Sequence, residues 1–310
     1  MYTSSYLQVD SVGLELQPQN SFQLPKVFTT LNGSKRVIQI QRGDEIRAIF
    51  PGHVDESTGM VSSSPLSYRQ GLIYSSKHLL RTPSKTVSEQ MLLVESLLSF
   101  FEQKGIVNFQ ISLSSDELDV RPWSWVLGRL GWSFRVEPRY TAVLRLADRS
   151  EKQVWESFRP VRRQEIRKFS RNLDVATVTA AEVADALLLK LELDGPVDNE
   201  ALRELRALRM VAGNPAFTAT SYSDGISGAR HYVLSLTAAG EKHLISNFDA
   251  VGPRVNGLHA RSTHAEINKG MEEAELFDFN GANSPQRGDD KHSYGAEAVL
   301  YFEISGSKRG

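Results

Sequence analysis

The 310-residue chain contains no cysteine. That excludes a disulfide scaffold, thiolate-bound zinc, an iron–sulfur cluster and any thiol nucleophile. It also lacks an excess of charge: 36 Lys and Arg stand against 37 Asp and Glu, a formal net charge of −1. A general nucleic-acid coat would need a basic surplus, so only a local basic patch stays open. No apolar run approaches the ~20 residues that cross a bilayer, because the greasiest stretches, 90–101 and 184–193, are interrupted by polar side chains. The opening Met-Tyr-Thr-Ser-Ser-Tyr-Leu-Gln-Val-Asp has no basic segment followed by an apolar one, so it does not read as a secretory signal. The expectation is a cytoplasmic chain without a membrane span.

Several nucleotide and metal signatures are missing too. There is no Gly-x-Gly-x-x-Gly, hence no dinucleotide fingerprint. Gly252 and Gly257 have P-loop spacing, but Leu258-His259 follows in place of Lys-Ser/Thr. No Gly-x-Ser-x-Gly elbow is present. His259 and His264 are five apart and fall on different faces of a helix, so no metal site is expected and no cofactor is expected to be permanently bound.

What is present is globular: 40% hydrophobic and 24% charged residues. A chain of about 300 residues buries roughly 75% of its unfolded surface, enough for a core without staples. Residues 1–26 read as a polar arm. Val37 to Gln41 and Glu45 to Phe50 read as a hairpin around Arg42-Gly43-Asp44. The Ser-, Gly- and Pro-rich stretch 51–71 reads as a long loop. Ser88 reads as the cap of a helix running to Gly105. The second half alternates helical and strand patterns, with a helix over Glu151 to Ser170 broken near Pro160 and another over Leu258 to Glu273. The fold class is therefore α/β with mixed sheets. The expected organisation is an arm (1–26), a first domain (27–148) and a second domain (149–305).

Three segments of the second half carry candidate chemistry. From Arg159 to Arg171 there are six basic residues and one acidic. Arg162 and Arg163 could hold phosphates on such a helix; the same charges could simply face water. In Gly252-Pro-Arg254-Val-Asn256-Gly257-Leu-His259, small residues ahead of a helix let backbone N–H groups approach an anion, and an ordinary turn has the same composition. In Phe277-Asp278-Phe279-Asn280-Gly281, a carboxylate between two Phe could accept a proton from an amine, or could hydrogen-bond the next loop. Lys291 could meet developing negative charge.

In this order the segments resemble the Fem-type and polysaccharide-locus branch of the GNAT acyltransferase superfamily. That branch has a Trp ahead of an Arg-Arg-x-x-Ile-Arg-Lys helix, here Trp155 and Arg162-Arg163-Gln164-Glu165-Ile166-Arg167-Lys168. It has a strand of Phe/Tyr-Asp-Phe-x-Gly type and then Lys-x-x-Phe/Tyr-Gly, here Phe277 to Gly281 and Lys291-His292-Ser293-Tyr294-Gly295. The superfamily's acyl-carrier loop has a partial counterpart in Arg254, Asn256, Gly257 and His259, with His259 standing where a small residue is usual. The resemblance covers about residues 140 to 304, and the first half looks like a degenerate GNAT copy.

The resemblance implies two GNAT-like domains whose adjacent parallel strands splay to admit an acyl donor. It implies Asp278, Lys291 and Tyr294 as catalytic residues and Arg254, Asn256, Gly257 and His259 as donor-binding residues. Arg162, Arg163, Tyr68 and Arg69 are the expected substrate-binding residues. Acyl-CoA is the implied co-substrate, and the implied partner is a small-molecule or glycan-precursor amine, such as an amino sugar of a cell-envelope polysaccharide. Two alternatives stay open: a Fem-type ligase that uses aminoacyl-tRNA, and a non-catalytic GNAT-like binding protein.

Overall fold

A computed structural model describes residues 1–9, 18, 20–32, 36–63, 66–67, 69–79, 82–169 and 173–308. The chain divides into two compact units, Met1–Arg139 with Leu300–Gly310, and Tyr140–Val299.

In the first unit, β1 (Tyr2–Gln8) lies in the segment expected as an arm and pairs antiparallel along its whole length with β2 (Arg36–Arg42). After α1 (Pro25–Asn32), β2 and β3 (Glu45–Phe50) form the expected hairpin. The stretch read as a long loop contains β4 (His53–Asp55) and β5 (Met60–Ser62), followed by β6 (Ile73–Tyr74) and α2 (Ser76–Leu79). These strands are two or three residues long, too short for an alternating pattern to register.

Helix α3 (Pro83–Gln103) starts earlier than expected, with Pro83 in its first turn. A proline suits that position because its missing N–H is one the helix cannot satisfy anyway. Ser88 is no cap: its hydroxyl donates back to Ser84 O at 3.0 Å inside the helix. Leu93, Val94, Leu97, Leu98 and Phe101 of α3 join Phe109 and Ile111 of β7 (Asn108–Ser112) and Trp123 of α4 (Arg121–Arg129) in one core. Strand β8 (Ser133–Arg145) starts in this unit and ends in the second.

The second unit continues with α5 (Glu151–Ser157) and α6 (Pro160–Lys168), split where expected. Phe158 and Arg159 are extended, as residues before a proline tend to be, and Pro160 opens α6. Next come β9 (Leu173–Val178), α7 (Ala180–Asp194), α8 (Asn199–Met210), β10 (Phe217–Asp224), β11 (Arg230–Ala238), β12 (Glu241–Asp249), α9 (Leu258–Glu273), β13 (Leu276–Asp278), α10 (Pro285–His292) and β14 (Glu297–Ser307). The sheet order here is β8-β13-β12-β11-β10-β9. Strand β10, Phe-Thr-Ala-Thr-Ser-Tyr-Ser-Asp, escapes sequence reading because it is buried on both faces and its buried residues include the small, polar Thr220 and Ser221. The last residues of β14, Glu303 to Ser307, belong to the first unit, where they pair with β7.

One feature occurs in both units. Each has a parallel pair, β5 with β7 and β12 with β13, and each pair runs for three residue pairs and then parts. In the first unit the chain fills the parting itself. Ser63 N–H donates to Gln110 O at 3.2 Å, and the N–H groups of Gln70 and Gly71 both donate to Ser112 O at 3.0 Å. In the second unit the ladder ends at His243–Asp278.

Candidate functional site

Strand β12 carries an extra residue just past this point. Leu234 of β11 faces Ser246 while Ser235 faces Leu244, so Ile245 is bulged out of register. Such a bulge re-aims backbone groups beside a parting of strands. Leu244 O accepts from the side chain of Asn280, Nδ2 to O at 2.8 Å. Asn280 itself has φ +52°, a left-handed conformation that Asn tolerates better than most residues. One side chain thus bridges the mouth of the parted strands.

Asp278, at the end of β13, is 2% exposed. Its Oδ1 accepts from the Thr141 hydroxyl and from Asn280 N–H, the latter at 2.7 Å. Its Oδ2 lies 3.5 Å from His243 Nδ1. His243 Nε2 lies 3.0 Å from Glu241 Oε2. Glu241 and His243 share a strand face because side chains alternate with period 2. The result is a carboxylate–imidazole–carboxylate row.

Lys291 projects from α10, and its Nζ donates to Asn280 O and Gly281 O. Burial lowers its pKa to about 8, against the opposing pull of the Asp278 charge. Asn280 therefore connects the expected pair, its N–H on Asp278 and its carbonyl on Lys291. Tyr294 is fully buried, with its ring 5.4 Å from that of Phe158 and 5.5 Å from that of Phe279. Burial raises its phenol above the usual range. It packs as part of the aromatic core beneath the site.

Of the basic helix, Arg162 is fully engaged. Its Nε donates to Ser293 Oγ at 2.8 Å, Nη1 to Glu165 Oε2 at 2.7 Å, and Nη2 to Asp290. Its guanidinium also sits 4.7 Å from the Tyr294 ring centre. Arg163 is half-buried. Arg167 lies over Trp155, 5.4 Å from the ring centre.

Arg254 and Asn256 are exposed on the loop before α9. Gly257 is buried with φ +87°, and a Cβ there would come within 3.0 Å of Glu165 O and 3.3 Å of Phe169 Cβ, so only glycine lets α6 lie against this turn. His259 Nε2 is 3.5 Å from Asp290 Oδ2, and its ring meets His231 edge to face at 4.9 Å. His231 Nδ1 is 2.8 Å from Asp249 Oδ1. Burial lowers the His231 pKa, and the hydrogen bond from His231 lowers that of Asp249. Burial works to raise Asp290, but His259 and Arg162 outweigh it and hold the carboxyl low. The close approach that Gly257 permits is thus taken up by α6, and His259 is engaged with Asp290.

Tyr68 lies outside the described residues. Arg69 is in the first unit, buried, with Nη1 donating to Ser115 Oγ at 3.0 Å. The structure therefore gathers Asp278 with Lys291, and Arg162 with His259 and Tyr294 around Asp290. It leaves Arg254 and Asn256 at the surface. Sequence reading missed His243, Glu241, Thr141, His231, Asp249 and Asp290. The spacing Glu241-x-His243 within a strand was the available signal for the first two. Among the described residues, no group of three or more His, Asp or Glu side chains is arranged to hold a metal ion, and no helix is long and apolar enough to cross a membrane.

No family model matches the sequence, and no curated protein does. Solved structures are similar. FemX gives a TM-score of 0.63 at 11% identity, covering 95% of this chain and 93% of that one. A tandem GNAT protein from the clavulanic acid biosynthesis pathway gives 0.54 at 9% identity, covering 100% and 99%. The C-terminal domain of a putative lysylphosphatidylglycerol synthetase from Agrobacterium fabrum gives 0.53 at 12% identity, covering 91% and 87%. At these identities the likeness is one of fold, and that fold is the Fem-like tandem GNAT fold.

Proposed function

We propose that the chain is an N-acyltransferase that moves an acyl group from acyl-CoA or another thioester to an amine, an amino sugar of a surface polysaccharide being the acceptor that the Fem-like resemblance favours. The observation that supports this reading is the parting of β12 from β13 beside Asp278 and Lys291. Parallel strands that separate leave backbone groups able to pair with an extended ligand in place of a strand. For that, the Asn280 side chain must release Leu244 O.

In this reading Asp278 takes a proton from the acceptor ammonium, and the freed amine attacks the carbonyl carbon. The ammonium of Lys291 and the backbone of the β12 bulge stabilise the oxyanion. Holding both reactants in line supplies several kcal/mol of the barrier, on the order of 7 to 11 in the best intramolecular cases. No covalent enzyme intermediate is required, which suits a chain without cysteine.

A second reading takes the donor as an aminoacyl ester, as on tRNA. The engagement of His259 with Asp290 favours it, because it places an acid where a diphosphate-bearing donor would want only positive potential. The FemX likeness over nearly the whole chain points the same way.

Thermal denaturation of the full chain separates these readings. Acetyl-CoA at 100 times its dissociation constant should stabilise the protein by about 2.7 kcal/mol under the first reading. No shift with any acyl-CoA, together with ribonuclease-sensitive binding of charged tRNA, favours the second. Failure of both leaves a non-catalytic binding protein.

A further inference from the structure

Resting on the acyl-transfer reading above, we propose that His243 and Glu241 form the exit path for the proton that each transfer releases. The stoichiometry demands such a path. An ammonium attacking a thioester gives up two protons as the C–N bond forms and the C–S bond breaks. One ends on the leaving thiol, and the other must leave the protein. With an ester donor the count is the same, the leaving group being an alcohol.

Asp278 receives that proton in a place without direct access to water, its side chain only 3% exposed. Its Oδ1 is already occupied by Thr141 and Asn280 N–H. Oδ2 faces His243 Nδ1 at 3.5 Å, a separation that shortens when a catalytic complex tightens. His243 is 0% exposed, and its other nitrogen meets Glu241, which is 15% exposed. An imidazole can accept a proton at one nitrogen and release one from the other. The row thus runs from the buried acid through a buried relay to a partly exposed carboxylate.

Lys291 faces Asp278 from α10. Lys242, the intervening residue of β12, points to the other face of the sheet, where its Nζ lies 3.4 Å from Glu266 and 3.0 Å from Glu273. A purely structural role, pinning β12 to β13, would use the same contacts, so the test must move something that packing does not.

The experiment measures thiol release from acetyl-CoA with glucosamine as acceptor, using full-length wild type, His243→Gln and Glu241→Gln. The protein contributes no thiol background. Each variant should lose about 100-fold in kcat with both KM values unchanged, and added imidazole or formate should restore part of the loss. Unaltered kcat in both variants overturns the relay. So does a loss that comes with raised KM and no buffer rescue. If the wild type transfers to no amine and acetyl-CoA gives no thermal shift, the acyl-transfer reading itself fails, and the relay with it. A substrate-free arm follows the His243 imidazole by 15N NMR. Asp278→Asn and Glu241→Gln should each lower its titration midpoint by about one pH unit; no movement in either overturns the relay whatever the activity.

Discussion

His243 and Asp278 face each other as the last residue pair of β12 and β13, with 3.5 Å between Nδ1 and Oδ2. They mark the place where the sheet of the second unit opens. The corresponding place in the first unit, beyond Ser62–Gln110, is closed by backbone hydrogen bonds from Ser63, Gln70 and Gly71. A gap closed by main chain cannot open without unpairing several groups at about 1 to 3 kcal/mol each if they stay buried. Across the gap of the second unit the bond from Asn280 Nδ2 to Leu244 O comes from a side chain, which a rotamer change can release. In the proposed acyl-transfer reading, this contrast favours the second unit as the seat of the chemistry.

Replacing Asp278 should separate catalysis from stability. Asp278→Asn keeps an oxygen for Thr141 and Asn280 N–H but removes the charge, so transfer should fall by about 100- to 10,000-fold with a Tm change of only a few degrees. Asp278→Ala leaves a buried N–H and hydroxyl without their acceptor, which should cost about 1 to 3 kcal/mol more. Chemical denaturation beside a rate assay checks both. An Asn variant that is fully active removes Asp278 from the mechanism.

Lys291 gives a pH signature with two opposite arms. Its pKa is lowered from 10.5 to about 8, so between those values the unfolded chain holds the proton more tightly than the folded one. Unfolding free energy therefore rises with pH across that window. Against a Lys291→Met variant, the wild type should gain stability from pH 8 towards 10.5, read as a growing Tm difference. Activity should move the other way, falling above about pH 8 as the ammonium that supports the oxyanion is lost. A rate that is flat through pH 9 contradicts the role given to Lys291.

Glu117 predicts a pH effect of opposite sign in the first unit. It is fully buried, its Oε1 accepting from Tyr74 OH at 2.9 Å and Trp123 Nε1 at 3.0 Å, and burial lifts its pKa from 4.5 to about 7. Between those values the folded state binds the proton more tightly, so stability falls as pH rises from 4.5 to 7. Glu117→Gln keeps the acceptor and removes the titration. The variant should overtake the wild type over this range, by up to about 3 kcal/mol at pH 8. Equal urea midpoints at pH 5 and pH 8 would rule this out.

Helix positions were legible in the sequence because their signals are local. Pro160 opens α6 at the expected break, and α9 covers the expected residues Leu258 to Glu273. Strands β1, β4, β5 and β10 were not legible. Their partners are distant in the chain, and their residues are few or polar. The site divides the same way. Asp278 and Lys291 stood out within motifs. His243 and Thr141 acquire meaning only because β12 and β8 flank β13, a relation carried by three register pairs on each side. Asp290 likewise reads as a helix-surface acid until α6 and α9 bring Arg162 and His259 to it.

Gly295 is the position where a single methyl group should do most harm to the site without touching its chemistry. Its φ is +76°, which L side chains rarely adopt, and a Cβ would fall 2.5 Å from Ser157 Oγ, 2.7 Å from Ser157 Cβ and 2.8 Å from Ser157 O. The hydroxyl can rotate, but the carbonyl at the end of α5 cannot yield without moving the helix. The neighbouring Ser293 O accepts Arg159 N–H at 2.8 Å, so the same turn anchors the start of α6. Gly295→Ala should therefore combine a left-handed backbone cost of about 1 to 2 kcal/mol with an overpacking cost of about 1 to 3 kcal/mol. The loss should appear in the urea midpoint, and Lys291, four residues earlier, should lose its hold on Asn280 and Gly281 with a matching fall in transfer rate. A Gly295→Ala protein with wild-type stability would show that α5 can shift away from the turn freely, and that the packing of α5 does not fix the position of Lys291.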